Sequence, residues 1–480
     1  MKTSIVSLLR TAAIACALAL VAPGHVSGAA SDLLEQGIYA EETKGDLDEA
    51  LSLYRKTLAE AKASRSASAQ AQFRIGQCYL KKNRSADAVA AFQKVVDDFP
   101  DEKELVAKAK AYLPTTLALQ PIPWTDGERM VLDVKLPSGF DIGVTVYHAD
   151  FVQANGTNVW RVGGRVDAAG QSYSWVNVDP DSFHPLSSRW THRLLGDNTA
   201  TYGADSVSVQ KAGTTEVKKI PLNGPVFDNE EVVHLMRRLP LADGYKTTVP
   251  CFVSFSGLTI PLGIDVTGPE PVEVKAGKFD CFKLQLSIGQ TFWYSADARR
   301  LLVKFEAGGA LAELAEVLQR KPGEPAQFQD DDLGVTFQAP ADWYFHRHAD
   351  GKSKAQIVDL LDPEGDIDDM SLKLEPVSAL PAADKASPRA WLDSSNTELC
   401  SAMTDAKVDP ASWKNVALDG RPAVSCIVNF TDQKKAMVMY TVATFGKTTA
   451  ERFTMLVEHD KLATFKPTFD AIVGSFHSSR

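Results

Sequence analysis

The chain has 480 residues, 44% of them hydrophobic and 23% charged, with a formal net charge of −10 at pH 7. That length and apolar content imply several globular domains with full cores. The acidic balance argues against nucleic-acid binding, which needs clustered Lys and Arg facing phosphate, and six cysteines in so long a chain exclude a disulfide-built scaffold.

Residues 1–30 read as an export signal. Lys2 and Arg10 supply positive charge, Thr11 to Ala22 is apolar and uncharged, Pro23 and Gly24 break the run, and Val26 to Ala30 offers small residues to a peptidase. The apolar run is about half of the roughly 20 residues a spanning helix needs, so cleavage is expected between Gly28 and Ser31. No later stretch is apolar enough to cross a bilayer, and the mature chain is expected to be periplasmic or secreted, without a transmembrane span. Five cysteines remain after cleavage. Cys251 with Cys281, and Cys400 with Cys426, could pair in an exporting compartment; buried free thiols are the alternative.

Residues 31–116 carry helical spacing. Ala88 and Phe92 lie four apart on one face, and Ile75, Gly76 and Tyr79 mark the preceding helix. Gly76 and Ala88 are small enough for close helix approach, Asn83 to Ser85 makes the turn, and Pro100 stops the second helix. The stretch resembles a tetratricopeptide repeat, with Gly76, Tyr79, Ala88, Phe92 and Pro100 on its small, aromatic and stop positions. An upstream copy from Leu34 to Lys62 sets Ala50 and Tyr54 where Ala88 and Phe92 stand later, but has Glu41 where an aromatic is usual. Asp101 to Leu113 reads as a solvating end helix. The resemblance implies a concave groove lined by the first helix of each pair, with Glu35, Glu41, Gln72 and Gln77 as candidate docking residues for a protein or peptide. Two repeats are fewer than the usual three, so the alternative is a structural brace.

From 120 to 320 the period becomes two. Leu132 and Val134 alternate with Asp133 and Lys135, Val207 and Val209 alternate with serines, and turn residues such as Asn155-Gly156 and Ala276-Gly277-Lys278 recur at short spacing. This predicts an antiparallel β domain, barrel-like or a curved sheet. One helix interrupts it: Asp228 or Asn229 caps, Val232, Leu235, Met236 and Leu239 form a stripe, and Pro240 ends it. Gly127-Glu128, Asp179 to Pro185, Leu239-Pro240-Leu241, Val274 to Cys281 and Trp293 to Arg300, in that order, resemble the bacterial exported domain of unknown function 3108. The resemblance implies an envelope location and a curved antiparallel sheet, and no known reaction. Trp160, Trp175, Trp190 and Trp293 could line a cavity for an amphiphilic ligand, or simply form core.

Gln319 to Glu324 reads as a linker. Residues 327–480 then open on Gly334-Val335-Thr336-Phe337 with Pro340 and Trp343, and close on Phe469, Ile472, Ser475 and Phe476. Between them lie strand-like runs and a helix capped by Ser387 with Pro388 at its first position. These ends resemble the PsbP-like α/β/α sandwich with an antiparallel sheet, a fold that usually serves binding or assembly.

Chemistry-bearing clusters are few. His346 and His348 would face one side of a strand and could share a metal, but no third ligand is identifiable. Asp362, Glu364, Asp366, Asp368 and Asp369 lack calcium-loop spacing. Ser208 and Lys211 match Ser-x-x-Lys on a strand-like run, where the two would not share a face. There is no G-x-S-x-G, H-E-x-x-H or phosphate-cradling loop. The expectation is therefore a non-enzymatic, multidomain, exported envelope protein without cofactor, a scaffold that docks a partner through its repeats. The alternatives are a carrier or sensor of an amphiphile in the middle domain, and a hydrolase with an unrecognised site, since triads are spatial.

Overall fold

The computed structural model describes residues 29–480 apart from 61–63, 83, 111, 114–116, 169–170, 193–195, 223, 322, 351–352, 404, 433 and 480. The expected export signal up to residue 28, Asn83 of the expected turn and Pro322 of the expected linker lie outside the described residues. The chain divides into two compact units, one ending at Lys110 and one running from Ala111 to Arg480.

The first unit holds helices α1 (Ala29–Tyr39), α2 (Leu47–Ala59), α3 (Arg65–Lys81), α4 (Ser85–Asp98) and α5 (Lys103–Lys110). Asp46 caps α2 by accepting the Glu49 N–H at 2.9 Å, and Ser64 caps α3 by accepting that of Ala67 at 3.1 Å. Each hairpin closes a glycine of its first helix onto an aromatic ring of its second. A Cβ on Gly76 would stand 2.6 Å from the Phe92 ring, and one on Gly37 would stand 2.5 Å from the Tyr54 ring. Thirteen residues separate Gly37 from Ala50 and twelve separate Gly76 from Ala88. The extra residue falls where α1 widens into a π-helical turn, Ala40–Lys44, before Gly45 ends it in a left-handed conformation.

In the second unit a 15-stranded sheet comes first. Its strands are β1 (Glu128–Lys135), β2 (Asp141–Ala154), β3 (Thr157–Ala168), β4 (Gln171–Val178), β5 (Pro185–His192), β6 (Gly196–Tyr202), β7 (Ser206–Lys211) and β8 (Val217–Pro221), then β9 (Phe227–Asp228), β10 (Lys246–Val253), β11 (Leu258–Val274), β12 (Gly277–Leu286), β13 (Thr291–Ser295), β14 (Leu302–Ala307) and β15 (Ala310–Gln319). The order runs from β8 back to β1, then β15 back to β9, antiparallel throughout except for the short β9–β10 pair. The sheet is curved rather than closed. β8 and β9 are its ends and do not pair, yet Ile220 of β8 reaches Gly257 in the β10–β11 turn, and Ala200, Val207 and Phe252 share a small core.

One face of this sheet buries helix α6 (Val232–Arg237), whose Leu235 and Met236 pack with Leu132, Val162, Val176, Leu284 and Leu314. The expected cap is present as a reciprocal box. Asp228 accepts the Glu230 N–H at 2.9 Å, and Glu231 accepts the Asp228 N–H at 2.7 Å. The regular helix begins at Val232, after a 3₁₀ turn over Asn229–Glu231, and ends at Arg237, before the Leu239 of the expected stripe.

The rest comprises β16 (Ala326–Asp330), β17 (Val335–Ala339), β18 (Tyr344–Ala349), β19 (Gln356–Leu361), β20 (Asp369–Pro376), α7 (Pro388–Ala402), β21 (Lys407–Val408), β22 (Lys414–Leu418), β23 (Arg421–Asp432), β24 (Lys435–Phe445), β25 (Thr449–Glu458), α8 (Leu462–Gly474) and β26 (His477–Ser478). An antiparallel sheet ordered β18-β19-β20-β25-β24-β23-β21, with β22 on β23, lies between two layers. Trp391 and Leu392 of α7 pack on Cys426 and Ala443. On the other face Phe469 and Ile472 of α8, with Phe337 of the small β16-β17-β26 sheet, pack on Val442 and Phe453. This is the expected α/β/α arrangement.

The two sheets share a buried seam. The Arg129 guanidinium donates to Tyr344 Oη at 2.6 Å and to both Asp150 oxygens at 2.8 and 3.0 Å. Arg165 pairs with Asp362 at 3.0 Å, and Gln171 donates to the Asp368 carbonyl at 2.7 Å. Val131, Val144, Val146, Tyr344 and Leu361 form an apolar cluster beside them. The expected boundary between 320 and 327 thus falls inside one compact unit.

Candidate functional site

Of the four residues expected to dock a partner, two are accessible. Glu35 is exposed on α1 and Gln77 is half-buried on α3. The other two are corrected by the structure. Gln72 is buried and donates to the Ala91 carbonyl at 3.0 Å. Glu41 is 4% exposed, accepts from Tyr54 Oη at 2.6 Å, and pairs with Arg74 at 3.3 Å and Lys81 at 2.6 Å. Thirteen residues before Tyr54, as Tyr79 stands before Phe92, Glu41 turns into the hairpin where an aromatic is usual. Its burial is tolerated because α3 brings two cations to it. Ala50, Tyr54, Gly76, Ala88 and Phe92 are buried in the hairpin cores. Tyr79 lies at the edge, 4.7 Å under the Arg84 guanidinium and accepting from Arg55 at 2.6 Å. Pro100 is exposed in the turn after α4, so it ends the helix rather than packing in it. Gly37 is a packing position that sequence reasoning missed. Its signal was the aromatic at Tyr54, which demands a small residue opposite.

The four tryptophans expected to line one cavity do not share a face. Strand alternation and register put Trp160 and Trp190 on the side of Val162 and Val176, which holds α6. Trp175 and Trp293 point the other way. Trp175 lies 4.6 Å under Arg161, and Trp293 lies under Lys304 with its indole N–H donating to Glu270 at 2.6 Å. The α6 side is rich in buried polar groups tied to the fold. Arg237 is fully buried, pairs with Glu128 at 2.7 Å and donates to the carbonyls of Arg299 and Arg300. His234 stands edge-on to Trp124, with ring centroids 5.3 Å apart, and burial drives its pKa well below the ordinary value, so it is neutral.

Residues 130–310 match the model of a family described as a protein of unknown function, DUF3108. Residues 43–113 match a tetratricopeptide repeat model. Among solved structures, the chain is similar to cyanobacterial PsbP from Synechocystis sp. PCC 6803, with 16% identity over 33% of this chain and 94% of that one and a TM-score of 0.28. It is also similar to a β-barrel-like protein of domain of unknown function DUF1849 from Brucella abortus, with 12% identity, 42% and 100% coverage and a TM-score of 0.28. A third is LpqN of Mycobacterium tuberculosis, involved in cell envelope biogenesis, with 13% identity, 32% and 84% coverage and a TM-score of 0.20. None of the curated proteins compared matches the chain. Neither match indicates an enzymatic family, and the tetratricopeptide match suggests a protein-interaction or binding role.

Within the DUF3108 segment, Ser208 and Lys211 lie on β7 three residues apart and so on opposite faces. Cys251 on β10 pairs with Ile260 and Cys281 on β12 with Glu270, ten residues further along the intervening β11, or roughly 30 Å of strand, so the two lie out of bonding reach. All five described cysteines are free thiols. Beyond the DUF3108 segment, Asp362 of the acidic loop is buried, pairs with Arg165 and accepts the Asp366 N–H at 2.8 Å, a structural role. His346 and His348 share one side of β18, as expected, and Asp359 of β19 stands beside them, a candidate third ligand that the sequence did not show. Among the described residues, no helix is long and apolar enough to cross a membrane.

Proposed function

We propose that the protein is a non-enzymatic envelope protein, exported and then cleaved near Ala29, whose helical repeats dock a protein or peptide and whose β domains bind or brace. The observation that supports this most is the pair of glycine-on-aromatic hairpins, which consume Gly37, Tyr54, Gly76 and Phe92 in packing and leave Glu35, Gln77 and the 55%-exposed Tyr39 on the first helices. Repeats of this kind bind through such faces. The test is capture from the envelope fraction with the wild-type chain and with a Glu35→Arg/Gln77→Arg variant. Loss of specific partners at an unchanged melting temperature supports docking, since surface changes move stability by less than about 0.5 kcal/mol. Identical partners in the two captures would overturn it, and a lowered melting temperature without a change in partners would make the repeat a brace. Intact mass of the exported chain checks the location, and a mature protein that keeps Met1 would refute the cleavage.

A further inference from the structure

We propose that His346, His348 and Asp359 form a binding site for a divalent transition-metal ion of the Zn2+ type, with Asp141 as the outer carboxylate that orients His346. The site is built by strand geometry. His346 and His348 are two apart on β18 and so point the same way, with their rings stacked at 5.3 Å, and His346 lies directly across from Asp359 in the β18–β19 ladder. Asp359 Oδ2 stands 3.0 Å from His348 Nε2 and 3.6 Å from His346 Nδ1. Ligand atoms held about 2.0–2.1 Å from a tetrahedral ion are about 3.3 Å apart, so these spacings fit three ligands of one ion.

The nitrogens on the far sides of the rings each face an oxygen. His346 Nε2 faces Asp141 Oδ2 at 3.5 Å, and His348 Nδ1 faces the Ala349 carbonyl at 3.3 Å. Metal-bound histidines donate their second N–H to such a carboxylate or carbonyl, which fixes tautomer and ring angle. Neither ring nitrogen of His346 makes a well-formed hydrogen bond although the residue is only 5% exposed, a costly arrangement for a buried imidazole with no ion to hold. Two carboxylates and two neutral imidazoles carry two negative charges, which a dication cancels. Arg347, between the histidines, points to the other side and pairs with Asp330 at 2.6 Å, so it does not compete. The side chains of His348 and Asp359 are 25% and 28% exposed, which leaves a route for the ion and a free fourth position for water or a ligand. Asp141 belongs to β2 and the other three to β18 and β19, so an ion here would tighten the seam between the two sheets.

The other occupant this geometry admits is a proton on His346, shared between the two carboxylates. The experiment separates them. The untagged mature chain is stripped with EDTA, dialysed and titrated with Zn2+ by calorimetry near neutral pH, and Co2+ is added in parallel and read by its visible absorption. The expected result is one ion per chain, an intense tetrahedral Co2+ spectrum, loss of both in His348→Ala, and a weakening of about 10–100-fold in Asp141→Asn, the usual effect of removing an outer partner. No heat and only a weak octahedral spectrum in the wild type would overturn the site, as would binding that survives unchanged in His348→Ala. If His348→Ala misfolds, as judged by circular dichroism in EDTA, the wild-type spectrum and the Asp141→Asn titration decide the question.

Discussion

Glu41 shows how far a single residue can mislead. By composition it belongs on a surface, and only its register against Tyr54 hints otherwise. The cations that make its burial tolerable, Arg74 and Lys81, lie 33 and 40 residues away, beyond any local pattern. By contrast Ala88 and Phe92 were legible because their contact repeats every four residues on one helix. Removing one partner of a buried pair costs about 3–5 kcal/mol when both are desolvated. Here the side chains of Arg74 and Lys81 are 21% and 49% exposed and recover some hydration, so Glu41→Ala is expected to destabilise by about 2–3 kcal/mol, mostly through the stranded Tyr54 hydroxyl. Glu35→Ala should stay within about 0.5 kcal/mol. All eight tryptophans lie beyond Lys110, so urea unfolding followed at once by helical dichroism and indole fluorescence assigns the loss. A shift of the dichroism curve alone is the expected result, and equal curves for Glu41→Ala and wild type would refute the pairing.

At the scale of elements, the glycine-on-ring contact reverses a familiar sign. In a helix interior, Gly→Ala ordinarily gains about 1 kcal/mol. At Gly76 the new methyl would stand 2.6 Å from a fully buried Phe92 ring, and such overpacking costs about 1–3 kcal/mol. Gly76→Ala is therefore expected to destabilise the repeat and Gly37→Ala to do the same against Tyr54, while Gly474→Ala in α8, which meets nothing within 4 Å, should be neutral or stabilising. Melting temperatures of the three variants check this, and a gain at Gly76 would dismiss the close approach. Strands were legible for the same reason as helices: period two marks a half-buried ribbon. Register was not. Nothing in the sequence says that Trp175 turns away from Trp190, or that Asp359 falls opposite His346, because both follow from which residues pair across strands.

The seam decides the behaviour of the whole second unit. Its parts come from residues hundreds of positions apart, such as Arg129 with Tyr344, and a charged stretch with Pro and Gly between the two sheets reads from sequence as a free linker. Residues 321 and 323–325 are exposed and should be nicked readily, but the two pieces are expected to co-elute in gel filtration at neutral pH, and Arg129→Ala should release them. Acid should do so too. Burial alone would raise the pKa of Asp150, but hydrogen bonds from His148 and Arg129 hold it below the usual carboxylate range. Its contribution is thus present above about pH 3.9 and lost as pH falls through the lower folded value. Burial lowers the pKa of His148, whose contribution is present above about pH 6.5 and is likewise lost in acid. Both signs agree, so stepwise elution between about pH 7 and pH 3 should show the pieces parting at the acid end. Pieces that part at neutral pH would show that the seam contributes nothing.

The order of the long sheet has a consequence for how the chain reaches its native state. Thirteen of its fourteen ladders join strands adjacent in sequence; the exception is β1 with β15, where Glu128 meets Gln319. Two meanders can therefore zip independently, each from its own hairpins. One event remains non-local, the closing of a loop of nearly 200 residues, whose entropy is on the order of 5 kcal/mol and which must be met before the central strands find each other. The search that sets the folding rate is concentrated in a single rendezvous at the middle of the sheet, and until it occurs each meander presents a bare edge, β1 or β15, beyond the one it keeps in the native sheet, to whatever chaperone or neighbour is at hand.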